Sequence, residues 1–275
     1  MVVEPRDAAT IILVRNRMDS KGAGMEVLMV LRNRKSDFVP DSYVFPGGGM
    51  VDGDITPEIG ALCSGMDCER AAHILGDLSA PEKALGIWVT GIRETFEEVG
   101  LMIACRKDGL IVSIDKDDEI ERFRRYRCML RDEEISFFDI LEKEELTLAA
   151  DRLHYYSHWI TPEASPKRYD TRFFVARAPS NQKAFHDGVE LTQYIWITPK
   201  DALEAFRKGT FNMVIPTMIT LEELSGFDRV EDAIRSTRDK NITTNCIKVE
   251  IDEIKGIIVY TPDGRAFKHM PPSVE

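Results

Sequence analysis

Residues 81–99 constrain this chain more than any other stretch. Pro81 suits the first turn of a helix, where its missing N–H would have had no partner anyway, and Gly100 is a natural stop. On a wheel advancing about 100° per residue, Leu85, Trp88, Ile92, Phe96 and Val99 gather on one side. Glu94, Glu97 and Glu98 fall within roughly a 100° arc opposite them, with Arg93 at the flank, four residues before Glu97. A solvated acidic face is the plainest account of such a pattern. Two penalties weigh against it. Like charges four residues apart repel, and acids near a helix C-terminus oppose the macrodipole. A sequence that accepts both suggests a bound divalent cation, and hard carboxylate oxygens suit Mg²⁺ or Mn²⁺.

The rest of the chain interleaves strands and helices. Apolar, β-branched runs at 8–15 and 26–32 read as strands joined by a turn, hence a hairpin. Residues 42–50, "SYVFPGGGM", read as one short strand ending in a glycine turn. Residues 52–80 read as irregular apart from a short helix near 68–75, and 116–147 as two surface helices. Strands follow at 153–161, 170–178 and 191–198, then helices over 199–208, 216–225 and 228–238, and a terminal hairpin from "CIKVEI" and "GIIVYT". This order predicts an α/β (α+β) fold, a mixed sheet flanked by helices.

Composition removes several function classes. The net charge of −11 disfavours a nucleic-acid surface, which needs Lys and Arg against phosphate. No apolar run approaches the roughly 20 residues of a membrane span. The N-terminus lacks the pattern of a signal peptide and reads as the start of a cytoplasmic chain. Five scattered cysteines read as free thiols, with Cys105 and Cys128 as small buried hydrophobes. Cys63 and Cys68 are spaced too widely for a usual zinc knuckle, even with His73 nearby. No nucleophile–histidine pattern or G-x-G-x-x-G loop stands out.

Arg93-Glu94-Thr95-Phe96-Glu97-Glu98-Val99-Gly100-Leu101 resembles the second half of the Nudix hydrolase signature, G-x5-E-x7-R-E-U-x-E-E-x-G-U, with Thr95 at an aliphatic position. "VFPGGG" resembles its opening. If Gly48 is the signature glycine, it lies 45 residues before Arg93 rather than 14, an expansion of 31 residues. The glutamate that would brace Arg93 is not assigned; Glu58, Glu69 and Glu82 are the candidates. Further blocks, among them "SHWITPEASPKRYDTRFFVA" and "IPTMITLEEL", are similar to a branch of the family with an enlarged signature loop, which includes a peroxisomal coenzyme A diphosphatase.

The resemblance implies an α/β/α sandwich over 1–226, with a loop expansion at 50–80, a helical insert at 116–147, and an extension at 227–275 packed on the same domain. It implies Glu94, Glu97 and Glu98 as metal ligands for Mg²⁺ or Mn²⁺, with Glu94 a further ligand or the base that deprotonates water, and Arg93 orienting them. Gly47 would offer a carbonyl to metal and Glu190 would complete the site, while Asp187 would support Glu190 or make a turn with Gly188. Arg32, Gly48 and Arg168 are expected at the substrate. His158 and Trp159 are weighed as packing residues against ligand contacts, Phe173, Phe174 and Trp196 as core, and Arg168 and Arg172 as phosphate contacts, Arg168 the better of them, against a structural pair with Asp170 or a nearby Glu. The implied reaction is hydrolysis of a nucleoside diphosphate joined to another group, with coenzyme A or an acyl derivative preferred. ADP-ribose, NADH or another nucleotide is the alternative substrate. A non-catalytic nucleotide-binding regulator is the alternative function, and a partner-recruiting role for the helical insert is the third. A homodimer is expected. The C-terminal "SVE" is not the peroxisomal "SKL" address.

Overall fold

The protein is described from a computed structural model that covers residues 2–17, 24–36, 38–78, 80–185, 191–252, 256–261 and 264–268. Strands β1 (Arg6–Asn16) and β2 (Met25–Arg32) pair antiparallel, as the hairpin reading required. They then diverge. β3 (Tyr43–Val44) joins β2, and β4 (Gly47–Gly49) joins β1 through Ala8↔Gly49 and Thr10↔Gly47. The single strand expected at 42–50 is therefore two. Pro46, which has no N–H for a ladder, stands at the break, and its carbonyl accepts from Ile11 N. This wedge carries the three glycines onto β1.

The loop expansion is more ordered than its sequence suggests. A 3₁₀ turn (Asp52–Ile55) and helices α1 (Pro57–Ala61) and α2 (Cys68–Leu75) lead into α3 (Pro81–Val99). Gly100 ends α3 in the left-handed region, with φ 72°, and its N–H closes on Phe96 O. β5 (Ala104–Cys105), α4 (Asp117–Arg131), α5 (Phe137–Lys143) and β6 (Thr147–Leu148) form the insert. β7 (His154–Ile160), β8 (Tyr169–Arg177) and β9 (Leu191–Ile197) return to the sheet, followed by α6 (Pro199–Arg207), α7 (Ile215–Leu224) and α8 (Val230–Arg235).

The main sheet runs β10-β7-β8-β1-β2-β3, with β4 on β1 and β9 on β2. It is mixed: β1 lies parallel to β8, and β10 (Thr244–Cys246) parallel to β7. The extension thus adds a three-residue edge strand. The expected terminal hairpin forms a separate sheet from β11 (Lys248–Asp252), β12 (Gly256–Tyr260) and a third strand, β13 (Ala266–Lys268).

Alternation along the strands builds a core on each face. Ile11 and Leu13 of β1 face α3 with Leu28, Val30 and Phe174, while Ile12 and Val14 face α6–α8 with Val27, Met29 and Val175. Trp88, Ile92 and Phe96 are wholly buried, each contributing about 1.5–3 kcal/mol. The insert is no loose appendage. Phe123 meets Phe96 edge-on and Phe137 meets it at a tilt, both within the core cluster of α3. No helix among the described residues is long and apolar enough to cross a membrane.

Candidate active site

The acidic face of α3 is not solvated. Arg93 lies almost entirely buried among the carboxylates, and all five of its N–H groups are used. Nε and Nη2 form a fork on Asp54 at 2.8 and 3.0 Å, and Nη2 also donates to Gly49 O at 2.9 Å. Nη1 donates to Glu94 Oε1 at 3.0 Å and to Glu97 Oε1 at 2.8 Å. Burial alone would lower the Arg93 pKa, but the Asp54 hydrogen bonds and the surrounding carboxylates raise it, so it stays charged. Glu98 is 4% exposed and accepts from Gly47 N at 2.8 Å. Thr95, at the aliphatic position of the signature, is buried with its hydroxyl donating to Gly91 O.

The brace on Arg93 is Asp54, not Glu58, Glu69 or Glu82. Asp54 is 2% exposed, accepts from Val51 N, and lies 2.9 Å from the Thr90 hydroxyl. Its signal was present in the sequence. Counting forward from Gly48 through the signature's own gap of five residues arrives at position 54, where an aspartate stands for the glutamate. The whole expansion therefore falls between the acid and Arg93.

Gly48 faces the Glu94 side chain. A Cβ on it would sit 2.5 Å from the Glu94 carboxyl carbon, so only glycine lets β4 and α3 approach this closely. Gly48→Ala is expected to displace Glu94 and lower turnover about 10²-fold with the fold retained, measured as kcat beside a circular dichroism spectrum.

Burial pushes the Glu94 carboxyl up to about 7; Arg93 opposes this, and Glu97 reinforces it. Asp54, Glu94 and Glu97 are thus set around one guanidinium, with Glu98 held beside them by Gly47 N. Among the described residues, no three acidic, histidine or cysteine side chains already form a closed metal cage. The donor set nonetheless fits a hard cation. Arg93 holds one oxygen each of Glu94 and Glu97, and four carboxylates exceed the single positive charge among them.

One penalty inferred from sequence is offset from a distance. Arg127 of α4 donates to Glu97 O at 2.7 Å and Glu98 O at 3.0 Å, placing a cation at the C-terminal carbonyls of α3. Sequence reading missed it. Its only trace was Arg124, Arg127 and Arg131 spaced three and four apart, one face of α4. All three line a cavity of about 2260 Å³ that also takes in Gly47–Gly49, Glu94, Glu97 and Glu98. Cys128, expected to be buried, is exposed on that same wall. The volume exceeds the roughly 300–1,000 Å³ of ordinary small-ligand sites, so a long ligand of several parts can lie in it.

The other expected residues separate. Arg32 lines the cavity, and its guanidinium also holds Phe38 O and the Ser36 hydroxyl. Arg168 is outside the cavity lining, and its guanidinium donates to Thr161 O and Val3 O. It pins the N-terminus to the end of β8. Arg172, not Arg168, pairs with Asp170, in a buried network with Asp7 and Asp77 that His158 completes through Asp170. Trp159 and Phe173 are buried yet line the cavity, while Phe174 is core and Trp196 lies half-buried under Arg15. Glu190 and Asp187 lie outside the described residues.

The family model described as the NUDT19 Nudix domain matches residues 75–224, more than half of the chain. The chain belongs to the Nudix family. Among similar proteins is an acyl-coenzyme A diphosphatase NUDT19 of Xenopus laevis, 26% identical over 235 residues, a match covering 75% of this chain and 61% of that protein. The namesake from Gallus gallus is 22% identical, covering 97% of this chain and 80% of that one. A Nudix hydrolase crystal structure from Alicyclobacillus acidocaldarius superposes with a TM-score of 0.66 at 24% identity, over 86% of this chain and 97% of that one, and shows the shared fold. The matched residues include Arg93, Glu94, Glu97 and Glu98 but not Asp54 or the glycine strand. Nudix hydrolases generally use divalent metals, in keeping with the donor set.

Proposed function

We propose that this Nudix protein hydrolyses the diphosphate of coenzyme A or an acyl-coenzyme A, with Mg²⁺ or Mn²⁺ held by Glu94, Glu97 and Glu98 and the carbonyl of Gly47. The observation that carries the reading is Arg93, which spends two donors on Glu94 and Glu97 and three on Asp54 and Gly49 O, beside the glycine strand at a large cavity. Two relatives named acyl-coenzyme A diphosphatase support the substrate class. A divalent cation, when bound, neutralises charge on phosphoryl oxygens and acidifies water. The protein's own part is positional. Arg93 and Asp54 fix the carboxylates, Gly48 leaves room for Glu94, and Arg124 and Arg131 line the cavity wall. Glu94 serves as one of the metal ligands or as the base that takes a proton from water. Residues 1–226 form the catalytic unit in this reading, with 227–275 an extension on it.

The test is turnover with Mg²⁺ or Mn²⁺ on coenzyme A, acyl-coenzyme A, ADP-ribose and NADH, with products identified. Release of an adenosine bisphosphate and a phosphopantetheine is expected; cleavage of ADP-ribose or NADH alone would overturn the substrate, and nucleotide binding without turnover would overturn the activity.

The raised Glu94 pKa also has a stability consequence. The folded state holds this proton more tightly than a chain with the ordinary 4.5. Stability from Glu94 is therefore full below pH 4.5 and is lost as pH rises through about 7. The melting temperature of chelator-treated protein is expected to fall across that window, and Glu94→Gln to flatten the fall.

A further inference from the structure

We infer that the C-terminal extension builds an apolar wall of the substrate site, and that the acyl chain of a thioester lies against it. This rests on the diphosphatase reading above and names what holds the far end of that substrate. Two of the extension's contacts bracket this wall. β10 pairs with β7 through Asn245↔Trp159 and Cys246↔Ile160, and the Asn245 side chain donates to His158 O at 3.1 Å. Farther on, Arg265 Nη1 meets Glu222 Oε2 of α7 at 2.7 Å. Between these anchors, Ile247 and Val249 line the same cavity that holds the α3 carboxylates. Ile247 packs in the core cluster on the α6–α8 face of the sheet, with Trp159, Phe211, Met213 and Met218, all of which also line the cavity.

One cavity therefore has two chemistries. Glutamates and arginines surround the part where a diphosphate and its cation would lie. The wall from Trp159, Met213, Met218, Ile247 and Val249 carries no charged group. A ligand bound by its diphosphate is covalently continuous with whatever meets that wall. Methylenes gain there what they lose in water. An acyl chain is the occupant that matches both parts.

The test compares free coenzyme A with acetyl, octanoyl and dodecanoyl thioesters, on the full chain with Mg²⁺, as wild type and as Val249→Arg. A buried methylene is worth at most about fourfold in affinity, so the wild-type KM is expected to fall severalfold from acetyl to dodecanoyl. Val249→Arg is expected to raise KM for the dodecanoyl substrate about tenfold more than for free coenzyme A, with kcat little changed. Val249→Ser, a milder change, gives the same ordering if the arginine variant fails to fold. Wild type that cleaves free coenzyme A with a KM indifferent to chain length, or variants that weaken all substrates alike, would overturn the acyl wall and leave the diphosphatase standing. Wild type that cleaves none of the four yet hydrolyses ADP-ribose would overturn both.

Discussion

Asp54→Ala is expected to destabilise the protein by about 3–5 kcal/mol, lowering its melting temperature by roughly 10 °C. The cost lies in what is left behind. Asp54 accepts two of the five Arg93 hydrogen bonds, and both groups are almost fully buried. Without it the guanidinium keeps its charge in a site closed to water, with Nε unpaired and Nη2 left only Gly49 O. Val51 N loses its acceptor as well. Turnover falls with stability, because Arg93 also fixes Glu94 and Glu97. Asp54→Glu, which restores the family's residue with one more methylene, is expected to fold but crowd Thr90 and Arg93. A thermal melt checks the claim. A shift under 2 °C for the alanine variant would mean that Arg93 does not depend on this brace.

Glu97→Gln is expected to leave the fold intact while lowering metal-dependent turnover about 10³-fold or more. Glu97 is the most exposed of the three glutamates, with about 30% of its side chain accessible. Its contact with Arg93 Nη1 is one that a glutamine carbonyl can keep. The substitution thus removes charge and little else. In this account that charge holds a cation whose electrostatic work on the phosphoryl oxygens amounts to several kcal/mol, and each 1.36 kcal/mol is about tenfold in rate. Steady-state kinetics across a Mg²⁺ titration distinguishes weakened metal binding, which excess metal partly restores, from loss of the chemical step. Wild-type rates in the variant would remove Glu97 from the site.

How far this site could be read in advance depended on the range of each interaction. Helix α3 was legible from end to end because Pro81, Gly100 and the apolar stripe act locally, and the glutamate cluster followed from the same wheel. Asp54 was legible but missed. Backward counting from Arg93 crosses the 31-residue expansion, and an aspartate stands where the signature has glutamate. Arg127 was not legible, since its role on the α3 carbonyls depends on how α4 folds back over α3. Alternation through residues 168–172 could not separate Arg168, just before β8, which serves two backbone carbonyls, from Arg172, which serves three aspartates. Nor could it show β10, whose three residues are too few to set a period and whose pairing with β7 is decided by the fold. The split of β3 from β4 followed from Pro46, a signal visible in sequence, but the divergence of β1 from β2 that makes room for the wedge was not.

The most direct test of the account is a crystal of the protein soaked in Mn²⁺ and measured at the manganese absorption edge. The account predicts anomalous density among Glu94, Glu97 and Glu98, against the strand of Gly47 and Gly48, with Arg93 still held by Asp54. A catalytically active crystal with that position empty, and manganese bound elsewhere or nowhere, would contradict it.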